Sequence, residues 1–251
     1  MLEKIGIFNF DNIYCKQNFY LQEQYEWIDC TDLSGVNGYC DPASFEVLKS
    51  RMNRELSAKV NYIDSGNYHY VTYLLLQRLK QDFTLILFDH HTDMQQSLFG
   101  EILSCGSWVK WALDENPYLQ EVIIVGAKQE LIDAIGEKYK GRVHSYSEET
   151  IDHTMMWEQF ALRQIHYPVY VSVDKDVMEP QEVVTNWDQG VLSINQLQEI
   201  YNAIRKKTKI LGVDICGESD IHQSNYGLFL EENELNNEAN SEILRMIEQE
   251  I

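Results

Sequence analysis

What this chain lacks narrows it before any motif is considered. It has no run long or apolar enough to span a membrane, and its opening MLEKIGIFNF has none of the layout of a signal peptide, so a cytoplasmic location is the expectation. Cysteine is sparse and odd in number. The five residues Cys15, Cys30, Cys40, Cys105 and Cys216 show no CxxC spacing, which excludes a disulfide framework or a structural zinc site as an expectation and leaves mostly buried free thiols. Positive charge is scarce as well: 20 Lys and Arg stand against 40 Asp and Glu, a formal net charge of −20. Nucleic acid and anionic membrane both attract basic surfaces, so neither is an expected partner. The same excess suits solubility and cationic ligands. Part of it lies near the end, where Glu231, Glu232, Glu234 and Glu238 cluster. No repeat, low-complexity segment or Pro/Gly-rich linker divides the 251 residues, and residues 1–251 are read as one domain.

What is there is an ordinary globular composition, 44% hydrophobic, in which short apolar runs alternate with helical patterns. Strands are expected at residues 4–8, 60–63, 83–88, 122–125, 142–146, 169–173 and 210–213. Helices are expected at 44–56 (opened by Asp41-Pro42), from 70 on, at 102–113, from 126 to about 138, and at 151–163, 194–206 and 237–251. Residues 20–42 carry no readable period. Alternation of this kind gives an α/β protein of three layers, α/β/α, around a largely parallel central sheet.

Two of those strands end in acid. Residues 83–93, FTLILFDHHTD, begin as a continuous apolar run fit for the centre of a parallel sheet, then break into five polar or ionisable residues. Buried charge at such a place is costly unless it is paired or metal-bound. If the chain stays extended, Asp89, His91 and Asp93 point one way, His90 and Thr92 the other. Residues 169–180, VYVSVDKDVMEP, repeat the pattern with Asp174 and Asp176 on one side and Lys175 on the other. Ligands of α/β sheets sit outside the carboxyl ends of the strands, where these acids converge. With His69, from the turn 64–69, the set is His69, Asp89, His91, Asp93, Asp174 and Asp176. Four carboxylates so close would repel unless cations balance them. Oxygen-rich ligation with some imidazole suits Mn²⁺, at two per chain, with Zn²⁺ or Fe²⁺ as alternatives.

These motifs resemble those of the arginase/ureohydrolase family. Its Asp-x-His-x-Asp segment is matched by Asp89-His90-His91-Thr92-Asp93, and its Ser-x-Asp-x-Asp-x-x-x-Pro segment by residues 172–180. Its Gly-Gly-Asp-His histidine is matched by Gly66-Asn67-Tyr68-His69. Order and approximate spacing agree over most of the chain. The resemblance implies the arginase/deacetylase-like fold and a homo-oligomer. It also implies a binuclear centre in which Asp89 and Asp174 bridge, His69 and Asp93 complete one site, and His91 and Asp176 the other. The chemistry it implies is attack of a metal-bridging hydroxide on the planar carbon of a guanidino or amidino group, breaking a C–N bond and releasing urea, with Asp93 in a catalytic role.

The chain departs from the family pattern at four places. Cys105 stands where the catalytic-loop histidine would fall, and a thiol does not shuttle protons near pH 7 unless its pKa is shifted. Gln129 is neutral where an acid would hold the substrate's amino group. Glu218 falls one residue late for the guanidinium-binding glutamate and is still the expected cation-binding carboxylate. Lys175 replaces an apolar residue. Together these point away from plain L-arginine, toward a small guanidino or amidino compound or a peptidyl arginine. Trp187 and Asp188, before a glycine turn, are candidates for a substrate wall. Asp214 is expected to support the site or pack at its strand end, and His90 to orient a ligand. The alternatives are a single-zinc deacetylase-like amidohydrolase and a non-catalytic relative that keeps metal for stability.

Overall fold

A computed structural model describes residues 4–96, 102–151, 165–221 and 226–248. Its core is one eight-stranded sheet in the order β2-β1-β4-β10-β9-β5-β7-β8, every pair parallel. The strands are β1 (Ile5–Asn9), β2 (Tyr25–Asp29), β4 (Val60–Ser65), β5 (Phe83–Phe88), β7 (Leu119–Ala127), β8 (Val143–Ser147), β9 (Val169–Asp174) and β10 (Ile210–Glu218). Two-residue strands β3 (Tyr39–Cys40) and β6 (Leu103–Ser104) pair antiparallel beside it. The helices are α1 (Pro42–Glu55), α2 (Val71–Leu76), α3 (Trp108–Glu115), α4 (Gln129–Asp133), α5 (Ile194–Lys207) and α6 (Tyr226–Glu248).

The central strands β4, β5 and β9 are buried on both faces, so successive residues feed opposite cores. Leu85 and Leu87 of β5 join Leu48, Met52, Val71, Leu75, Trp108 and Val109 from α1, α2 and α3. Ile86 and Phe88 join Leu197, Ile200, Ile204 and Ile243 from α5 and α6. That is the three-layer α/β/α architecture. Caps mark the long helices: the Asp41 carboxylate accepts from Ala43 N and Ser44 N with Pro42 at the first turn, and Ser193 with Gln196 closes a capping box on α5.

Several boundaries differ from those expected. The helix expected at 102–113 begins only at Trp108, because β6 and a Ser104–Ser107 turn come first. The helix expected to run to about residue 138 stops at Asp133, and a separate 3₁₀ turn follows Gly136. β10 continues five residues beyond Val213 to Glu218, and α6 begins at Tyr226 rather than 237. β2 was not expected: it lies at the sheet edge, with Tyr25 and Asp29 exposed and Glu26 and Trp27 half-buried, so it lacks the apolar run that marks the others. The helix expected at 151–163 lies outside the described residues. No described helix is long and apolar enough to cross a membrane.

Candidate metal centre

β5 and β9 are neighbours, and both end at the same edge of the sheet. Beyond them the chain is not extended. Asp93 takes φ +48, and Asp174 caps a 3₁₀ turn over Lys175–Val177 by accepting from Asp176 N. The alternation expected of an extended chain nevertheless holds in outcome: Asp89, His91, Asp93, Asp174 and Asp176 converge, while Lys175 turns to the other side.

Two imidazoles meet the acids. His69 Nδ1 lies 3.1 Å from Asp93 Oδ2, 3.3 Å from Asp174 Oδ2 and 3.4 Å from Asp89 Oδ2. His91 Nδ1 lies 2.9 Å from Asp176 Oδ2 and 3.4 Å from Asp89 Oδ1. Asp89 thus offers one oxygen to each ring. His69 Nδ1 and Asp89 Oδ2 are buried without a hydrogen-bond partner. An orphaned ring nitrogen facing an orphaned carboxylate oxygen is a donor set that fits a divalent cation. The groups His69–Asp89–Asp93 and Asp89–His91–Asp176 each place all their ligand atoms within 4.8 Å.

The electrostatics are those of a site short of positive charge. Burial and then the Asp89 charge push the Asp93 carboxyl up to about 7. Burial with Asp174 and Asp89 pushes Asp176 well above its ordinary value. Both imidazoles rise despite burial, His91 to about 12 through Asp176 and Asp89, and His69 through Cys216, Asp174, Asp89 and Asp93. The four carboxylates Asp89, Asp93, Asp174 and Asp176 are the groups whose negative charge two divalent cations would balance.

Fixed partners hold the donors in place. His69 Nε2 lies 2.9 Å from Ser172 Oγ, whose hydroxyl donates to Asp214 Oδ1 at 2.6 Å; Thr72 Oγ1 donates to the same oxygen. With the Ser172 hydroxyl given to Asp214, Nε2 is the nitrogen that donates to Ser172, and Nδ1 is the one that faces the acids. Trp108 Nε1 donates to Asp93 Oδ2 at 2.6 Å, and His90 contributes its backbone N–H to Asp176 Oδ1 at 3.0 Å. Gly217 is required beneath the site. At φ +98, an added Cβ would fall 2.6 Å from Asp174 Oδ1.

The other expected site residues divide. Trp187 and Cys105 line a cavity of about 790 Å³ above the acids, together with Tyr39, Asn67, Gln95 and Ile102. The Trp187 ring sits edge-on to His91 with centroids 5.6 Å apart, and its Nε1 donates to Asn67 Oδ1. Asp188 is not among the lining residues and reaches the site through His91: its Oδ1 accepts from His91 Nε2 at 3.1 Å, and Oδ2 pairs with Lys128. The Cys105 thiol is pushed up to about 12, mainly by burial, so it is neutral near pH 7. Two expectations are corrected. Glu218 is not on the cavity: it is fully buried, with Oε1 2.5 Å from Lys175 Nζ and Oε2 accepting from Gln17 Nε2. The turn at Gly217 sends that carboxylate to the far side, where Lys175 neutralises it. Gln129 is exposed on α4, is absent from the cavity lining, and bonds to Asp133 of its own helix. Ser172, Thr72 and Cys216 were not named as site residues, although Ser172 stands within a motif that was.

Known proteins agree with this architecture. The model described as the arginase family matches residues 8–219. An uncharacterized protein of Thermotoga maritima is 28% identical over 216 residues, covering 86% of this chain and 80% of its own. Among solved structures, the arginase of Entamoeba histolytica in complex with L-ornithine superposes with TM-score 0.69 at 14% identity, all of both chains covered. Proclavaminate amidino hydrolase of Streptomyces clavuligerus does so with TM-score 0.67 at 15% identity, over 98% of this chain and 93% of its own.

Proposed function

This chain belongs to the arginase family, and on that premise we propose that it is a binuclear metallohydrolase that cleaves the C–N bond of a guanidino or amidino group. The observation that carries the reading is Asp89, one oxygen toward each of two imidazoles that other carboxylates also face. His69 and Asp93 would hold one cation, His91 and Asp176 the other, with Asp89 and Asp174 shared. The oxygen-rich donor set favours Mn²⁺. When bound, such a pair supplies Lewis acidity and makes water a nucleophile at neutral pH.

The chain's own groups do the rest. Asp93, buried and held by Trp108, is the carboxylate suited to take a proton from water and return it to the departing nitrogen. For a guanidino substrate the balance is one water consumed, one amine and one urea released. Trp187 and Asn67 form a wall on which a planar group can lie, and Asp188 holds the His91 ring by its outer nitrogen. Glu218 is neutralised by Lys175 and Gln129 faces away, which supports a substrate other than free L-arginine. The cavity is large enough for a small guanidino compound or the side chain of a peptidyl arginine.

The test is metal content followed by a urea-release screen. Mn²⁺ loading is expected to give two ions per chain, and Asp89→Asn or Asp174→Asn to lose metal and lower turnover by more than about 100-fold. Full metal content in both variants would sink the assignment. A second reading, a relative that holds metal without turnover, draws on the neutral Cys105 and the sequestered Glu218. Two bound ions with no product across guanidino, amidino and acyl panels would favour it.

A further inference from the structure

Among the described residues whose ligand atoms cluster here, Cys216 is the one that the donor set above leaves out. β10 carries it in register with Asp174 of β9. It is fully buried, and its Sγ lies 3.2 Å from Asp174 Oδ2. Together with His69 it completes a third group, His69–Asp174–Cys216, whose ligand atoms all lie within 4.8 Å of one another. His69 Nδ1, fully buried and without a hydrogen-bond partner, faces the same point. So a sulfur, an oxygen and an orphaned nitrogen converge from three elements: β10, the end of β9 and the turn before α2.

We propose that Cys216 is a sulfur ligand of the cation held by His69 and Asp174, so that this position takes Zn²⁺, Fe²⁺ or Co²⁺ in preference to Mn²⁺. The inference rests on the reading of the six acids and imidazoles as a metal centre, and goes beyond it by making the two positions chemically unequal. The His91–Asp176 position has only oxygen and nitrogen donors, the set that suits Mn²⁺, whereas thiolate selects softer cations. Coordination replaces the S–H proton, which leaves to solvent. Sulfur donates a lone pair, and nothing is oxidised or reduced. The competing role for Cys216 is that of a thiol donating its proton to Asp174 Oδ2. In that role it positions the carboxylate and never touches the ion.

Spectroscopy separates the two roles without reference to activity. The full chain loaded with Co²⁺ is expected to show a sulfur-to-cobalt charge-transfer band in the near ultraviolet. The band should vanish in Cys216→Ser and persist in Cys105→Ser, which removes the thiol that lines the cavity. In Zn²⁺/Mn²⁺ competition, Cys216→Ser should shift preference toward Mn²⁺ by more than about tenfold, the least that loss of even an outer partner costs. If Cys216→Ser does not fold, ¹¹³Cd NMR of the unmodified protein reads the same contact, as one cadmium signal displaced downfield of the other. Bound cobalt with no sulfur band, a band that survives Cys216→Ser, or two cadmium signals both in the oxygen/nitrogen range would overturn the proposal and leave the metal centre standing. No bound metal under any loading would overturn both.

Discussion

His69 is oriented by two hydrogen bonds in series rather than by its own packing alone. Asp214 fixes the Ser172 hydroxyl, and Ser172 fixes the ring. Removing the middle member leaves the imidazole free to turn and exposes Asp214 Oδ1 to an unfilled gap. Ser172→Ala is therefore expected to weaken metal binding by about 10–100-fold. Chelator competition measures this directly, and Ser50→Ala, at an exposed position of α1, serves as the control that should change nothing. An unchanged affinity would mean that the acids alone hold His69. At this scale the six acids and imidazoles were legible because Asp-x-His-x-Asp and Asp-x-Asp follow apolar runs. Ser172 and Thr72 were not, since a hydroxyl in or beside a buried strand leaves no periodic trace. Glu218 misled for a related reason. One residue of register decides which face a side chain takes, and a left-handed glycine at 217 is not readable from spacing.

The terminal helix α6 shows the same limit one scale up. Its apolar residues Ile243, Leu244 and Ile247 were visible as a helical stripe, but its first half docks through asparagine. Asn233, Asn236, Asn237 and Asn240 lie at spacings of three and four and are all buried. Asn237 Oδ1 accepts from Asn18 N and Phe19 N, and Asn236 Oδ1 accepts from Val184 N. Asn240 joins the buried Lys175–Glu218 pair, with Oδ1 3.2 Å from Lys175 Nζ and Nδ2 2.7 Å from Glu218 Oε1. A polar stripe at helical spacing reads as a solvent face in sequence, and only the structure reveals the partners. The pair fastens α6 and the segment around Gln17 to the back of the candidate site. Breaking it from one side strands a buried charge, so Lys175→Met is expected to cost about 3–5 kcal/mol in urea unfolding. Lys175→Met/Glu218→Gln removes that stranded charge and should recover more than half of the loss. A double variant no better than the single would show that shape, not charge, holds this junction.

The parallel sheet itself was legible because buried strands announce themselves as apolar runs, whereas the half-exposed edge strand β2 did not. The whole chain carries a formal net charge of −20, and the acids at the ends of β5 and β9 concentrate part of it in a buried crevice. Folding without cations forces carboxylates together that water would otherwise separate and solvate, a cost that falls on the folded state alone. A cation that binds there and not to the unfolded chain stabilises the fold by mass action. At 100 times its dissociation constant one ion adds about 2.7 kcal/mol, which for a chain of this size raises Tm by roughly 5–10 °C. Calorimetry with rising Mn²⁺ should therefore show a concentration-dependent Tm that a chelator reverses. Asp89→Asn should flatten the response, because it removes the carboxylate placed between the two imidazoles. The gain should also survive moderate salt: screening weakens long-range attraction of a cation to a net negative surface, but acts little on buried donors in direct contact. A Tm rise that disappeared in 0.5 M NaCl would locate the ions on the acidic exterior, such as the Glu231–Glu238 region, and not among His69, Asp89 and His91.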